Sequence, residues 1–244
     1  MAGNWKMYKT PAETVAFLQK FSPLVAAASH CEIVIYPPFT SLAAAVEAAK
    51  GTNVRVGAQN VAWAKEGAFT GEISGPMLQA AGVTHAIVGH SERRQYFAET
   101  DETVLRRTQA ALEFGLMPIV CVGERLEERE SGSTEAVLLR QFQKGIASLT
   151  AAQFARIVIA YEPVWAIGTG KTATPEMAAD AHRTIRAQVR AAFGAGAADS
   201  VRVLYGGSVK ADNARSLMAQ PEIDGVLVGG ASLDAVSFAS IVNF

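Results

Sequence analysis

Three titratable side chains follow short apolar segments and could perform acid–base chemistry on a small substrate. Glu162 could act as a general base, and His90 could polarise a carbonyl group. Glu162 follows an apolar segment, and we expect its apolar surroundings to bury the carboxyl group partly and raise its pKa. His90 precedes what resembles the first turn of a helix, whose partial positive charge would keep the imidazole neutral. Lys6 could supply a fixed cation.

Each of these side chains also has an ordinary structural interpretation. A carboxylate at the start of a loop, such as Glu162, often pairs with an arginine, and a lone histidine is often a hydrogen-bonded core residue. Lys6 could be a surface lysine before a helix. A metal site is not indicated, because His85 and His90 lie on one strand and would point to opposite faces of it.

Two glycine turns indicate a binding site for an anion. Gly206-Gly207-Ser208 and Gly229-Gly230 each follow an apolar segment near the end of the chain. Glycine lets backbone N–H groups approach a ligand closely, and such turns after the last two strands of a barrel are typical of a phosphate site. Chain reversal alone would explain one turn, whereas the pair favours phosphate binding.

The segment after Glu162 is expected to form a lid. Proline stiffens its start, glycines allow it to hinge, and its apolar tip would be exposed until it closes over a site and expels water. The alternative is a loop packed permanently on the barrel. The predicted lid consists of Pro163, Val164, Trp165, Ala166, Ile167, Gly168, Thr169, Gly170 and Lys171.

Alternating apolar runs and helical patterns must position these residues. Seven predicted strands cover residues 32–36, 54–58, 84–89, 116–122, 156–161, 201–205 and 224–228. Predicted helices cover residues 11–28, 41–50, 101–114, 134–149, 175–193, 211–219 and 233–242. An eighth, unusually short strand is implied at Ala2-Gly3-Asn4-Trp5. Repeated βα units of this number predict a single-domain α/β protein, a closed parallel (β/α)8 barrel, with an open doubly wound sheet as the alternative.

The composition is typical of a folded protein, and its net charge gives no general attraction to polyanions. The 244 residues carry 22 Lys and Arg against 23 Asp and Glu, a formal net charge of −1. This balance does not favour nucleic acid or an acidic membrane as a partner. Cys31 and Cys121 form no CxxC pair, so neither a disulfide framework nor a zinc cluster is expected. No apolar stretch is long enough for a membrane span, and we expect a cytoplasmic protein.

Taken together, these residues resemble the triosephosphate isomerase family over essentially the whole chain. Any one motif is weak evidence, whereas five in order at strand ends are specific. The motifs are Gly3-Asn4-Trp5-Lys6-Met7, Gly89-His90-Ser91-Glu92-Arg93-Arg94, Ala160-Tyr161-Glu162-Pro163-Val164-Trp165-Ala166-Ile167-Gly168-Thr169-Gly170, Tyr205-Gly206-Gly207-Ser208-Val209 and Gly229-Gly230-Ala231.

The resemblance implies interconversion of dihydroxyacetone phosphate and glyceraldehyde 3-phosphate through an enediolate, without cofactor or metal. It implies that Glu162 moves the proton between the two carbons, and that neutral His90 polarises the carbonyl and shuttles protons between the oxygens. Lys6 and Asn4 would stabilise negative charge on oxygen, with Glu92 close to the site. Backbone N–H groups would bind the phosphate at Gly168, Ser208, Gly229 and Gly230.

The resemblance also implies a homodimer. The segment from Val61 to Ser74, called segment 61–74 below, would insert into the neighbouring subunit and place Thr70 near that subunit's active site. Cys121 matches a buried family cysteine, which we interpret as structural.

The chain departs from the family pattern at its start, and other functions stay open at this point. Only Met1-Ala2-Gly3 precede Asn4, which predicts a short first strand or a sequence that begins inside its reading frame. The alternative functions are a Schiff-base aldolase with Lys6 as nucleophile, a non-catalytic barrel that binds a phosphorylated ligand, and an interaction protein that uses segment 61–74.

Overall fold

A closed ring of parallel strands forms the centre of the molecule. The computed structural model describes residues 1–169 and 171–244. Each strand pairs with the next along the chain, and the last pairs with the first. The strands are β1 (Ala2–Asn4), β2 (Ile33–Tyr36), β3 (Val54–Ala58), β4 (His85–Val88), β5 (Met117–Val122), β6 (Val158–Tyr161), β7 (Val203–Tyr205) and β8 (Gly225–Val228). The predicted (β/α)8 barrel is confirmed.

Helices connect the strands and cover the outside of the barrel. They are α1 (Pro11–Val25), α2 (Leu42–Ala49), α3 (Gly75–Ala80), α4 (Ser91–Tyr96), α5 (Asp101–Glu113), α6 (Leu126–Glu130), α7 (Thr134–Gly145), α8 (Ala151–Phe154), α9 (Pro175–Phe193), α10 (Ala195–Ser200), α11 (Ala211–Met218) and α12 (Ala235–Val242). Short 3₁₀ turns cover Phe39–Ser41, Val164–Ala166 and Gly230–Leu233. In the described part of the chain, none of the helices combines the length and the apolar character that crossing a bilayer requires.

The long helices match their predictions because local signals define them. Thr10 caps α1 by accepting a hydrogen bond from the Glu13 N–H, and Thr174 caps α9 in the same way from the Met177 N–H. The helices α3, α8 and α10 were not predicted, because each is too short to show an amphipathic period.

The short first strand is confirmed, and it is fully integrated in the barrel. It has three residues, as does β7. Residues of β1 pair with β2 on one side and with β8 on the other. The Trp5 N–H continues the ladder by donating to the Tyr36 carbonyl at 3.1 Å. The residues that follow β1 are therefore held by both neighbouring strands.

Alternation along each strand divides the core into two layers. In β2, Val34 and Tyr36 belong to the cluster that fills the barrel, whereas Ile33 and Ile35 pack against the surrounding helices. Because both faces are buried, the strands read as continuous apolar runs. This packing leaves the carboxyl ends of the strands as the place where polar side chains can gather.

Candidate active site

One cavity of about 690 Å³ lies at the carboxyl ends of the strands and collects most of the predicted site residues. The predicted residues that line it are Asn4, Lys6, His90, Glu162, Ile167, Gly168, Ser208, Gly229 and Gly230. Parallel strands present their carboxyl ends on one face of a barrel, which is why residues so far apart in sequence meet here.

Glu162 follows β6 directly and is only 2% exposed. One carboxylate oxygen, Oε1, lies 2.9 Å from His90 Nε2. The other, Oε2, accepts a hydrogen bond from the Ser91 N–H at 2.9 Å, and the Ser91 hydroxyl lies 3.3 Å from Oε1. The start of α4 therefore holds both oxygens of this carboxylate.

The expectation of a raised pKa for Glu162 is wrong. Burial by itself raises the pKa, but the contact with His90 and the Ser91 N–H stabilise the carboxylate more strongly. The net result is a lowered pKa. The sequence showed that the group would be buried, but it did not show these two partners.

His90 caps α4, and its two ring nitrogens have different partners. Nδ1 accepts a hydrogen bond from the Glu92 N–H at 3.2 Å, so the ring proton lies on Nε2 and points to Glu162. Burial lowers the pKa of His90, whereas the Glu162 carboxylate raises it and gives a net increase. The helix end thus fixes the tautomer, but the prediction that it lowers the pKa of His90 is wrong, because the carboxylate contact outweighs its effect.

Lys6 is held in a conformation that L-residues rarely adopt. Its φ is +51°, and its N–H donates to Asn4 Oδ1 at 3.0 Å. Its carbonyl accepts a hydrogen bond from the Gln59 side chain at 2.7 Å, and its ammonium pairs with Glu92 Oε1 at 2.5 Å. This position places a cation at the cavity wall and gives Glu92 a defined partner.

The glycine turns line the same cavity as His90 and Glu162. A Cβ built on Gly229 would lie 3.5 Å from Lys6 Cε, and one on Gly230 would meet no atom within 4 Å. Gly168 has a φ of +69°. The backbone is thus open to a ligand at Gly230, and Lys6 lies beside the same turn.

The predicted lid does not present the fully exposed tip that the sequence suggested. Trp165 is buried, and its indole N–H donates to Glu124 Oε1 at 2.9 Å, while Val164 and Ile167 are half-buried. Buried indole N–H groups require an acceptor, and the Glu124 carboxylate supplies one. Thr169 closes the turn by donating to the Trp165 carbonyl at 2.6 Å. Of the other lid residues, Pro163 and Ala166 are buried, Lys171 is exposed, and Gly170 lies outside the described residues.

Glu124 is a functional candidate that the sequence interpretation missed. The charged run from Glu124 to Glu130 predicts a solvated helix face, but Glu124 is fully buried just before α6. Its Oε1 also accepts the Tyr161 hydroxyl at 3.0 Å. The available signal was its place directly after a buried strand, which is where the other site residues stand.

Segment 61–74 forms a closed loop away from the cavity. The Ala62 N–H donates to the Ile73 carbonyl at 2.8 Å, and Arg107 donates to the Val61 carbonyl at 2.5 Å. Thr70 is exposed on this loop. Thr70 is not among the described residues that line the cavity.

Histidines outside the cavity have structural partners. His85 Nδ1 lies 2.7 Å from the Thr84 hydroxyl, and its Nε2 lies 3.5 Å from Glu32 at the other end of the barrel. Among the described residues, no group of His, Cys, Asp and Glu is arranged to hold a metal ion. Burial raises the pKa of the Cys121 thiol, with a further contribution from Glu162.

The fold and the clustered residues define a (β/α)8-barrel enzyme with its polar cavity at the carboxyl face of the strands. A family profile described as triosephosphate isomerase matches residues 1–244. The chain is 79% identical to a triosephosphate isomerase of Solibacter usitatus, over 100% of this chain and 98% of that protein. It is 54% identical to triosephosphate isomerases of Citrifermentans bemidjiense and Moorella thermoacetica, over 100% of this chain and 97% of each relative.

The chain belongs to the triosephosphate isomerase family. Family membership makes it an isomerase whose substrate is a triose phosphate.

Proposed function

We propose that Glu162 and His90 carry out the proton transfers that interconvert dihydroxyacetone phosphate and glyceraldehyde 3-phosphate. Glu162 removes a proton from the carbon beside the carbonyl and returns it to the neighbouring carbon. His90 donates a hydrogen bond to the carbonyl oxygen and moves protons between the two enediolate oxygens. The observation that carries this proposal is the 2.9 Å contact between Glu162 Oε1 and His90 Nε2 at the cavity.

Substrate must change the environment of Glu162 before it can act as a base. A carbonyl oxygen that takes the His90 N–H competes with the carboxylate for this donor. Once Glu162 leaves His90 and Ser91, burial is the main remaining influence, and burial raises its pKa. A carboxylate in that position is a stronger base, and its pKa lies closer to working pH.

Lys6 and Asn4 stabilise the negative charge that develops on the enediolate. The Lys6 ammonium lies at the cavity wall, and the contact with Glu92 holds its position. Asn4 supports the strained Lys6 backbone through its side-chain oxygen. The same Glu92 contact argues against Lys6 as a Schiff-base nucleophile, because such a lysine must react as a free amine.

Backbone N–H groups of Gly168, Ser208, Gly229 and Gly230 bind the substrate phosphate. Support comes from their common place on the cavity wall and from the open space above Gly230. The lid closes on the bound phosphate through Gly168 and excludes water, which prevents loss of phosphate from the enediolate. The reaction as proposed uses no cofactor.

We also propose a homodimer formed through segment 61–74, with Thr70 near the partner's cavity. Phe69 on this segment and Met77 shortly after it are large apolar side chains that are exposed, and a dimer interface would cover them. Free thiols at Cys31 and Cys121 fit a cytoplasmic location, and the substrates fit glycolysis and gluconeogenesis.

The assignment of Glu162 is tested by a coupled assay with glyceraldehyde 3-phosphate and the Glu162→Asp variant. Shortening the side chain moves the base without touching the anion site, so kcat should fall by about a hundredfold or more. Inhibition by inorganic phosphate should stay within about threefold of the parent, which serves as the internal control. An equal loss of phosphate binding, or near-normal turnover, would remove Glu162 from its role.

A further inference from the structure

One glutamine side chain holds a single backbone residue by both of its polar groups. Gln141, on α7, is 5% exposed. Its Oε1 accepts the Gly123 N–H at 2.7 Å, and its Nε2 donates to the Gly123 carbonyl at 3.0 Å. Two hydrogen bonds from one planar amide fix the orientation of the backbone at Gly123.

Gly123 in turn packs directly against the backbone of Glu162. A Cβ built on Gly123 would lie 1.7 Å from the Glu162 carbonyl oxygen, closer than any side chain could approach. The Glu162 N–H donates to the carbonyl of Val122, the neighbour of Gly123, at 2.8 Å. Any tilt of the backbone at Gly123 must therefore move the backbone that carries Glu162.

Glu124, the residue after Gly123, links the backbone at Gly123 to the lid. Glu124 accepts hydrogen bonds from Tyr161 and Trp165 through its side chain, and its carbonyl accepts the Val164 N–H at 3.0 Å. The backbone at Gly123 therefore contacts Glu162, the candidate base, and is bonded to Glu124, whose carboxylate holds the lid.

We infer that Gln141 is a positioning residue for the isomerase reaction, acting through Gly123 on Glu162 and on the lid. The inference rests on the proposed roles of Glu162 and of the lid. Displacements of about 1 Å can lower a rate by about a hundredfold when the reacting groups must be aligned. Of the four proposed phosphate donors only Gly168 belongs to the lid, whereas Ser208, Gly229 and Gly230 follow β7 and β8. A change at Gln141 should therefore lower kcat more than it weakens phosphate binding.

The test compares Gln141→Met and Gln141→Glu with the parent enzyme. Methionine keeps the approximate volume but forms neither hydrogen bond, and glutamate keeps an acceptor for the Gly123 N–H but loses the donor. Gln143→Met is the matched control, because Gln143 is exposed on the same helix. For each protein we would measure kcat, KM, inhibition by inorganic phosphate, and the thermal midpoint.

For Gln141→Met we expect kcat to fall by about tenfold to a hundredfold, with a smaller fall for Gln141→Glu. The inhibition constant for phosphate should stay within about threefold, and KM should change less than kcat. Gln143→Met should match the parent in every measurement.

Wild-type kcat in folded Gln141→Met would overturn the inference. So would a loss of activity that follows only the loss of folded protein, or failure of both Gln141 variants to fold, since Gln141 would then serve the fold alone. Glu162→Asp separates the two hypotheses. Normal turnover in that variant removes the proposed base, whereas an inactive Glu162→Asp with fully active Gln141→Met removes only the role of Gln141.

Discussion

At the scale of single residues, the site holds its candidate acid–base pair in direct contact. Glu162 lies within hydrogen-bond distance of His90, and the Ser91 N–H supplies a further donor to the carboxylate. Buried polar groups need partners, and both carboxylate oxygens have one here. In the proposed mechanism substrate exchanges these contacts for its own, which couples binding to activation of the base.

Gly123 gives the sharpest prediction at this scale. Because a Cβ would meet the Glu162 carbonyl oxygen at 1.7 Å, Gly123→Ala must displace the backbone of the candidate base. We expect kcat to fall by about a hundredfold, together with a lower thermal midpoint. Gly196→Ala is the control, since a Cβ there meets no atom within 4 Å and Gly196 lies in helix α10. Similar kinetics for the two variants would contradict the packing argument.

At the scale of secondary-structure elements, the connection between β5 and α6 links the barrel to the lid. Glu124 lies in this connection, and its carboxylate receives hydrogen bonds from Tyr161 and Trp165. Arg129 of α6 lies 3.3 Å from the same oxygen and stacks over the Trp165 ring at 5.0 Å. The start of the lid is therefore held by one buried acceptor.

Removing that acceptor should destabilise the chain measurably. In Glu124→Met, the Tyr161 hydroxyl and the Trp165 N–H are left buried without a partner, at a cost of about 1–3 kcal/mol for each group. We expect a matching fall in the free energy of unfolding in urea and a change in tryptophan fluorescence. Glu124→Gln retains an oxygen acceptor and should lose less. Equal losses in the two variants would show that the shared acceptor is not the cause.

At the scale of the whole molecule, closure of the barrel buries a histidine that the reaction does not use. His182, on α9, has one ring nitrogen 3.0 Å from the Glu222 carbonyl and lies edge-on to the Tyr161 ring. Burial lowers its pKa from 6.5 to about 4, although the hydrogen bond to Glu222 works in the opposite direction. The folded state therefore disfavours the imidazolium form.

This shift predicts how stability depends on pH. Because the folded state favours neutral His182, the contribution of this residue to the free energy of unfolding is fully present above pH 6.5. That contribution is lost as the pH falls from 6.5 to about 4. The full loss corresponds to about 3 kcal/mol. In His182→Gln this part of the acid destabilisation should disappear, because Gln can donate to the same carbonyl without titrating. Unfolding measured at several pH values would contradict this if parent and variant lost stability in parallel.

The proposed dimer also belongs to this scale. Phe69→Glu puts a charge on segment 61–74 and should shift the sedimentation of the protein to that of a monomer, with much lower activity at equal concentration. Leu24→Glu is the matched control, because Leu24 is 45% exposed on α1 and Phe69 is 44% exposed. A monomeric parent would remove the dimer proposal. A dimeric Phe69→Glu would instead place the interface elsewhere.

The sequence by itself determined the order of the strands and of the longer helices, and the end of the barrel where the site lies. Apolar runs, helix caps and glycine turns are local signals, and a parallel barrel aligns the residues that follow each strand. Lys6, His90 and Glu162 are therefore candidates by position, the family resemblance implies their roles, and the cavity brings them together.

Only the tertiary structure decided the partners of these residues and the direction of their pKa shifts. Glu162 meets His90 and Ser91, Trp165 meets Glu124, and Gln141 meets Gly123 across long intervals of chain. Electrostatic and hydrogen-bond energies depend on separations of a few ångströms, which local patterns do not encode. The same carboxylate has its pKa raised by burial alone and lowered once its neighbours are in place.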